Sequence, residues 1–474
     1  MLADDLFKVK GSTSASTKKA RTKPATSPKT KPLGPVATYN EEFSAELNFS
    51  NSLVQQNQYC AGNGSIYSWS SWYWQDTEDI AKDWAKKQAT RYLSVHAPDR
   101  VASSVVNSSV SIARYSLPDL PKSPKDTDKT IIPLIGTWLE VKDDGSIVYK
   151  NPDRSIGITY ALKVSLPPSE GEYVPGELPE GSLFKGYLDV FMANPEHQKL
   201  LQEYAGYTLT PGTKRQKALL LQGEGGEGKS VFIDILSGIH QKVEVIDVSD
   251  KDTRKPASLA AASLIICPEV GKQNFQLEFF KSIVVGDKVK LRNLYQDEIS
   301  TVIGAKCVFS FNNFPIVNDK TNGFWRRVIL FKLTNKIPAN KINVNLSREI
   351  LAKESKIVLD WALAGLQRLT KQNGFTNVPE LEAGLAEWKT SQNTVAQFLE
   401  EVEFALHPTA FLPKVELYQR YRKFCVDRGN QPVSNEGFYT DLKRAYPNLL
   451  EKKVMVEKER TRMVFCELKS ILTE

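Results

Sequence analysis

The stretch Leu219-Leu-Leu-Gln-Gly-Glu-Gly-Gly-Glu-Gly-Lys229-Ser230-Val-Phe-Ile decides the fold, because an apolar strand, a glycine-rich turn and a helix start follow one another without a break. Its spacing is the GxxxxGK[ST] of a phosphate-binding loop. Gly223, Gly225, Gly226 and Gly228, with Glu224 and Glu227 interleaved, let the backbone wrap closely round an anion and aim N–H groups inward at a helix N-terminus. In such a loop Lys229 reaches the β and γ phosphates and Ser230 ligates Mg²⁺. Val231, Phe232, Ile235 and Leu236 then recur at helical spacing. The expected ligands are therefore ATP and Mg²⁺.

A phosphate loop alone says only nucleotide, so its partners decide the class. Ser263-Leu-Ile-Ile-Cys-Pro268-Glu269 is an apolar strand ending in a carboxylate, where a nucleotide hydrolase needs a base for its water and a group near the metal. A buried strand capped by an incidental Glu reads the same way. Val308-Phe-Ser-Phe311-Asn312-Asn313-Phe314-Pro315 is a second such strand, ending in an amide able to hydrogen-bond the water or the γ-phosphate; Asn-Asn before Pro is also an ordinary turn. Gly323-Phe-Trp325-Arg326-Arg327-Val-Ile-Leu-Phe331 sets two guanidiniums before a third strand. They suit the charge developing on a transferred phosphoryl group, or else a surface ion pair.

At 474 residues the chain predicts about three domains. A hydrophobic share of 41% lets most of it fold, and the net charge of +7 suits a polyanionic partner without requiring one. The five cysteines form no CxxC pair and the four histidines do not cluster with them, which predicts buried, inert thiols in a reducing compartment instead of a zinc site or disulfide frame. There is no membrane-length apolar run and no signal-like start, so the expected location is the cytoplasm.

Lys8 to Pro35 is Ser, Thr, Ala, Pro and Lys with no acid, a composition that predicts disorder over 1–38 and either loose phosphate binding or a plain linker. Ahead of it, Ala3-Asp4-Asp5-Leu6-Phe7 looks like the short Leu-Phe peptides by which replication proteins dock on a sliding clamp. The aromatic run Tyr67-Ser-Trp69-Ser-Ser-Trp72-Tyr73-Trp74 reads as strands and turns, its rings better suited to the core of a small sheet than to stacking on bases. Leu219 to Leu333 alternates β-branched runs with helical segments, predicting an α/β sheet. Ser355 to Thr370 is amphipathic, and from Val395 onward helices precede a basic hairpin ending in Met463-Val-Phe-Cys466, the order of a small winged-helix unit.

In this order and at these spacings, the pieces resemble the superfamily 3 helicases, most closely the phage and plasmid primase-helicase family related to the poxvirus D-type NTPases. The segment Lys281-Ser-Ile-Val-Val-Gly286-Asp287-Lys288-Val-Lys290-Leu-Arg292-Asn-Leu-Tyr295 is similar to that family's Lys…GGD…R.LY signature. Glu203-Tyr-Ala-Gly206-Tyr207 and the tryptophans before it resemble the domain preceding the motor. The resemblance implies an AAA+-like motor at 206–375, a mostly helical pre-motor domain at 39–205 and a winged-helix domain at 376–474. It implies Walker roles for Lys229, Ser230 and Glu269, a sensor in Asn312, and a finger acting on a neighbouring subunit in Arg326 or Arg327. Lys281, Lys288, Lys290 and Arg292 would grip single-stranded DNA in the pore, although a solvated strand face has the same pattern. Two departures stand out: one carboxylate follows Pro268 where the family has a pair, and Val285-Gly286 replaces Gly-Gly. The short tail predicts no primer synthesis. The expectation is a hexameric ATP-driven DNA helicase, with an ATP-switched initiator or loader as the alternative and a packaging or small-molecule phosphotransferase ranked last.

Overall fold

The computed structural model describes residues 39–123, 130–248, 256–270, 275–292, 299–317, 319, 322–338, 342–428, 431–456 and 459–468. The basic tail, the Leu-Phe peptide and Tyr295 lie outside them. Two compact units are present: Met1–Asn313 with Arg327–Val378, and Phe314–Arg326 with Pro379–Glu474.

The first unit opens with α1 (Ala45–Gln55), the antiparallel strands β1 (Tyr59–Gly62), β2 (Ser65–Trp69) and β3 (Trp74–Asp76), and helices α2 (Thr77–Ile80), α3 (Trp84–His96) and α4 (Ser103–Ser116). Phe49, Leu53, Ala89, Leu93 and Ala113 form its sealed centre. A second sheet follows, order β6-β5-β4-β7, from β4 (Thr130–Ile135), β5 (Trp138–Val141), β6 (Ile147–Lys150) and β7 (Leu162–Ser165). Over 39–205 the helices hold more residues than the strands, and the β6-β5-β4-β7 sheet adds a strand layer to the mostly helical region that the resemblance implies. Runs such as Thr130–Ile135 and Trp138–Val141 are apolar and β-branched or aromatic, and they pair across a tight turn into a buried sheet. Most of the aromatic run is core: Tyr67, Tyr73 and Trp74 are buried while Trp72 is exposed, and the Trp74 and Trp138 indoles donate to the carbonyls of Arg154 and Trp72 at 2.9 and 2.8 Å.

Helices α5 (Leu183–Phe191) and α6 (Pro195–Leu209) lead into the central sheet. Its elements are β8 (Ala218–Gln222), α7 (Lys229–Ile239), β9 (Val243–Val245), β10 (Leu264–Cys267), α8 (Leu277–Val285), the hairpin β11 (Lys288–Leu291) with β12 (Ile299–Val302), then β13 (Lys306–Phe311), β14 (Val328–Lys332) and α9 (Leu346–Lys371). Five strands pair in parallel in the order β14-β8-β13-β10-β9. The near-continuous apolar runs of β8, β10, β13 and β14 are the mark of strands covered on both faces, while the edge strand β9 is partly exposed. The amphipathic stretch expected at 355–370 is the second part of the longer α9, which departs from helical geometry at Glu354. The Glu354 carboxylate accepts the Leu183 and Phe184 N–H groups at 2.9 Å each, fixing the start of α5.

The second unit holds α10 (Pro379–Ser391), α11 (Thr394–Glu401), β15 (Phe404–Leu406), β16 (Leu412–Pro413), α12 (Lys414–Asp427), α13 (Asn435–Ala445), β17 (Glu451–Val456), β18 (Glu459–Val464) and β19 (Cys466–Leu468). Phe398, Leu417, Tyr421, Phe438 and Leu442 make its core, beside a β16-β18-β17 sheet and a β15-β19 pair. Phe314, Phe324 and Trp325 come from the inserted segment, and their rings lie 4.8, 5.6 and 5.1 Å from that of the buried Trp388.

Among the described residues no helix is long and apolar enough to cross a membrane. All five cysteines are free and buried. Burial pushes Cys60 up to about 12 and Cys267 and Cys466 up to about 11, and raises Cys307 further, so none of these four is a ready thiolate.

Candidate phosphate site at the strand ends

β8 runs straight into the glycine loop, and Gly228 caps α7 in the left-handed region (φ 94°) with Lys229 as the first helical residue. Gly225 (φ 118°) and Gly226 (φ 87°) also take values that a side chain would strain. The loop is held from outside by contacts the sequence does not announce. Tyr187 of α5 donates its hydroxyl to Gly228 O at 3.1 Å, Ile337 N–H donates to Gly226 O at 2.9 Å, and Lys336 pairs with Glu224 at 3.3 Å. The first two leave the loop little freedom to change its path.

Inside the loop the two acids part company. The Glu224 side chain is 79% exposed, that of Glu227 only 2%. Glu227 accepts the Gly225 N–H at 2.7 and 3.0 Å and the Lys229 ammonium at 2.9 Å, while Lys229 also donates to Gly223 O at 2.7 Å. Burial pushes the Glu227 carboxyl up, but Lys229 and the backbone donors outweigh it and hold the group below its usual range. Spacing alone puts Glu227 in the loop but does not announce this pairing, for which an acid two residues before the lysine is the one signal in the sequence.

The neighbouring strand ends bring two more expected residues to this edge. Gly223 N–H donates to Phe311 O at 3.1 Å and Gln222 Nε2 to Asn312 O at 3.0 Å, which ties the end of β13 to the start of the loop. Val270 N–H donates to Ser310 O at 3.0 Å, so the preceding Glu269 stands at the same level on the other side of β13. Glu269, Asn312 and Ser230 are all exposed. Ligands of parallel α/β sheets bind beyond the carboxyl ends of the strands, where these groups are. A Ser hydroxyl and one carboxylate suit Mg²⁺, which binds few protein oxygens and completes its shell with phosphate and water.

The sheet does not bring the arginines to this edge. Arg327 immediately precedes β14, which runs parallel to β8, so it sits at the amino ends of the strands, roughly 20 Å from the loop at about 3.3 Å per residue. Arg326 is exposed and belongs to the segment built into the second unit.

In the hairpin, Lys288 and Lys290 are exposed and alternate with buried Val289 and Leu291, and Arg292 is exposed beyond them. Lys281 is elsewhere, on α8, where it pairs with Glu278 at 3.2 Å. The departure at Val285-Gly286 has a physical account. Gly286 ends α8 at φ 84°, where an added Cβ would lie 2.4 Å from Thr213 Oγ1, whereas Val285 is an ordinary last helical residue. Only the second glycine is demanded by geometry.

Comparison with known proteins gives two family matches. Residues 221–327 match a family of unknown function (DUF5906). Residues 390–470 match the Poxvirus D5 protein-like family. The first match runs from the end of β8 to Arg327; the second covers most of the second unit. Among solved structures, an apo structure of the NrS-1 C-terminal region is 14% identical, with 70% of this chain and 94% of that chain covered and a TM-score of 0.40. An A-form apo structure of the same region is 13% identical, with the same coverage and a TM-score of 0.39. No curated protein matches.

Proposed function

We propose that this chain is a primase-helicase-type NTPase, an ATP-driven DNA helicase that works as a ring, most simply a hexamer. The observation that carries the reading is the joint position of the 223–230 loop, Glu269 and Asn312 at one edge of a parallel sheet. The Poxvirus D5-like match over 390–470 supports a replication role.

On this reading the loop N–H groups and Lys229 cradle the β and γ phosphates of ATP. Ser230 and Glu269 would hold Mg²⁺, which would supply charge neutralisation at the phosphate oxygens. Asn312 orients a water against the γ-phosphorus, and Glu269 accepts its proton as the bond to ADP breaks, releasing phosphate. Arg327 lies too far from its own loop to stabilise that transition state, so it or Arg326 serves the loop of a neighbouring subunit, and the site is complete only in an oligomer. Lys288, Lys290 and Arg292 then line the passage for a single strand, with Lys281 behind them, giving phosphate contacts without base reading. Three helices followed by the β17–β18 hairpin act as a winged-helix module. The Leu-Phe peptide at 3–7 is offered as a clamp-docking motif, and the whole assembly works in the cytoplasm.

The test is ATP hydrolysis by purified protein with and without single-stranded DNA, together with unwinding of a forked duplex. Directional strand separation that depends on Lys229 is expected. ATP-dependent DNA binding without separation would replace the helicase by an initiator or loader. No hydrolysis and no nucleotide binding would end both.

A further inference from the structure

We propose that Glu227 is the loop's resident anion: in the nucleotide-free chain its carboxylate holds the seat of a phosphate group, and di- or triphosphates bind only by displacing it. The inference rests on reading 223–230 as a nucleotide site, and it deepens that reading by assigning the residue that sets its affinity.

Three observations carry it. First, the donors that Glu227 uses are the ones a phosphate needs, namely the Gly225 N–H and the Lys229 ammonium. One set of donors cannot serve two anions. Second, the carboxylate is seated and not merely near. A Cβ added to Gly223 would lie 2.8 Å from Glu227 Cδ and 2.9 Å from Lys229 Nζ, so the pair is packed against bare backbone. Third, Glu224 shows that an acid in this loop need not turn inward, since it is largely exposed and pairs outward with Lys336. A carboxylate leaves water only for compensating partners, and here those partners are the loop's own.

Two consequences follow. An empty loop keeps Lys229 paired, so it stays folded between turnovers. Product release is also assisted, because the carboxylate returns to the donors that ADP leaves. The effect is selective by chemistry: AMP, with no β-phosphate, does not compete for Lys229.

The experiment is calorimetric titration of the full chain with MgADP and with AMP, for the wild type, Glu227→Gln, Glu227→Ala and Lys229→Ala. A charge-assisted hydrogen bond given up on binding corresponds to about tenfold in affinity or more, so both Glu227 variants should bind MgADP at least about tenfold tighter, with AMP unchanged. Loss of structure alone does not tighten binding. If Glu227→Ala fails to fold, Glu227→Gln carries the test, because it keeps the side-chain volume and an acceptor for Gly225. Wild-type protein that binds MgADP while the Glu227 variants bind it equally or more weakly would overturn the proposal and leave the nucleotide site standing. If no form binds MgADP, or Lys229→Ala binds it as the wild type does, the loop reading falls and this inference with it.

Discussion

At the carboxyl ends of the central strands the chain buries a charged pair, Glu227 with Lys229, whereas at the amino ends it buries basic groups that have no carboxylate beside them among the described residues. There His240 is sealed between Ser263 Oγ at 3.1 Å and Thr208 Oγ1 at 3.2 Å, and Lys306 donates to the carbonyls of Thr210 and Gly304 beneath the Tyr207 ring. Burial lowers His240 to about 3 and Lys306 to about 7. The difference separates two uses of a buried polar group. A pair at the open edge of a sheet can exchange its anion, while groups closed in by neutral partners serve only the fold.

Four perturbations can break or sharpen that contrast. The largest effect belongs to the paired arginines. The double variant Arg326→Ala with Arg327→Ala is expected to abolish ATP turnover, by about a thousandfold or more, while MgADP binding persists. Mixing it with Lys229→Ala protein should restore part of the turnover, because the mixture contains intact loops facing intact arginines. A mixture as dead as its components would remove the shared-site model. Next, Lys229→Ala should abolish turnover and also lower the unfolding free energy by about 3 kcal/mol, since the buried Glu227 loses its partner. Adding Glu227→Gln to that variant should return most of the stability in urea titration. An undiminished midpoint in the single variant would show that Glu227 simply turns outward.

The amino-end groups give smaller effects. His240 binds its proton far more weakly in the fold than at the ordinary value of 6.5, so its contribution is intact above that value and lost as pH falls from 6.5 towards about 3. The slope should approach about 1.4 kcal/mol per pH unit, and His240→Gln should flatten it in urea melts at pH 5 and 7. Last, Lys306→Met removes a cation that burial disfavours. Its melting temperature should be unchanged or a few degrees higher, with ATP turnover unaffected. A large loss of stability would mean that the carbonyl cage and the Tyr207 ring compensate the ammonium fully.

How far the site is legible in the sequence follows from the range of each interaction. The loop is written locally, since strand, glycines and helix start are consecutive, and alternation alone puts Lys288 and Lys290 on one exposed face of β11. The parallel sheet follows from apolar runs such as Leu264–Cys267 and Val328–Phe331. The inward turn of Glu227 is a choice of rotamer and partner, and no spacing encodes it. Tyr187 and Ile337 reach the loop from far along the chain, so they leave no pattern near it. The strands within 39–205 are less legible because short pairs of strands carry a weaker periodic signal than long helices.

The inserted segment Phe314–Arg326 has a practical consequence for anyone cutting this chain. It leaves the first unit directly after Asn313 and returns at Arg327, so the second unit is joined to the first by three covalent crossings. A protease acting between Val378 and Pro379 would nick the polypeptide without releasing its carboxyl-terminal part from the native fold. A gene truncated at the same point would keep Phe314, Phe324 and Trp325 but delete Trp388, exposing three aromatic rings to water. Such a fragment is expected to aggregate, whereas the nicked protein runs as one species until it is denatured.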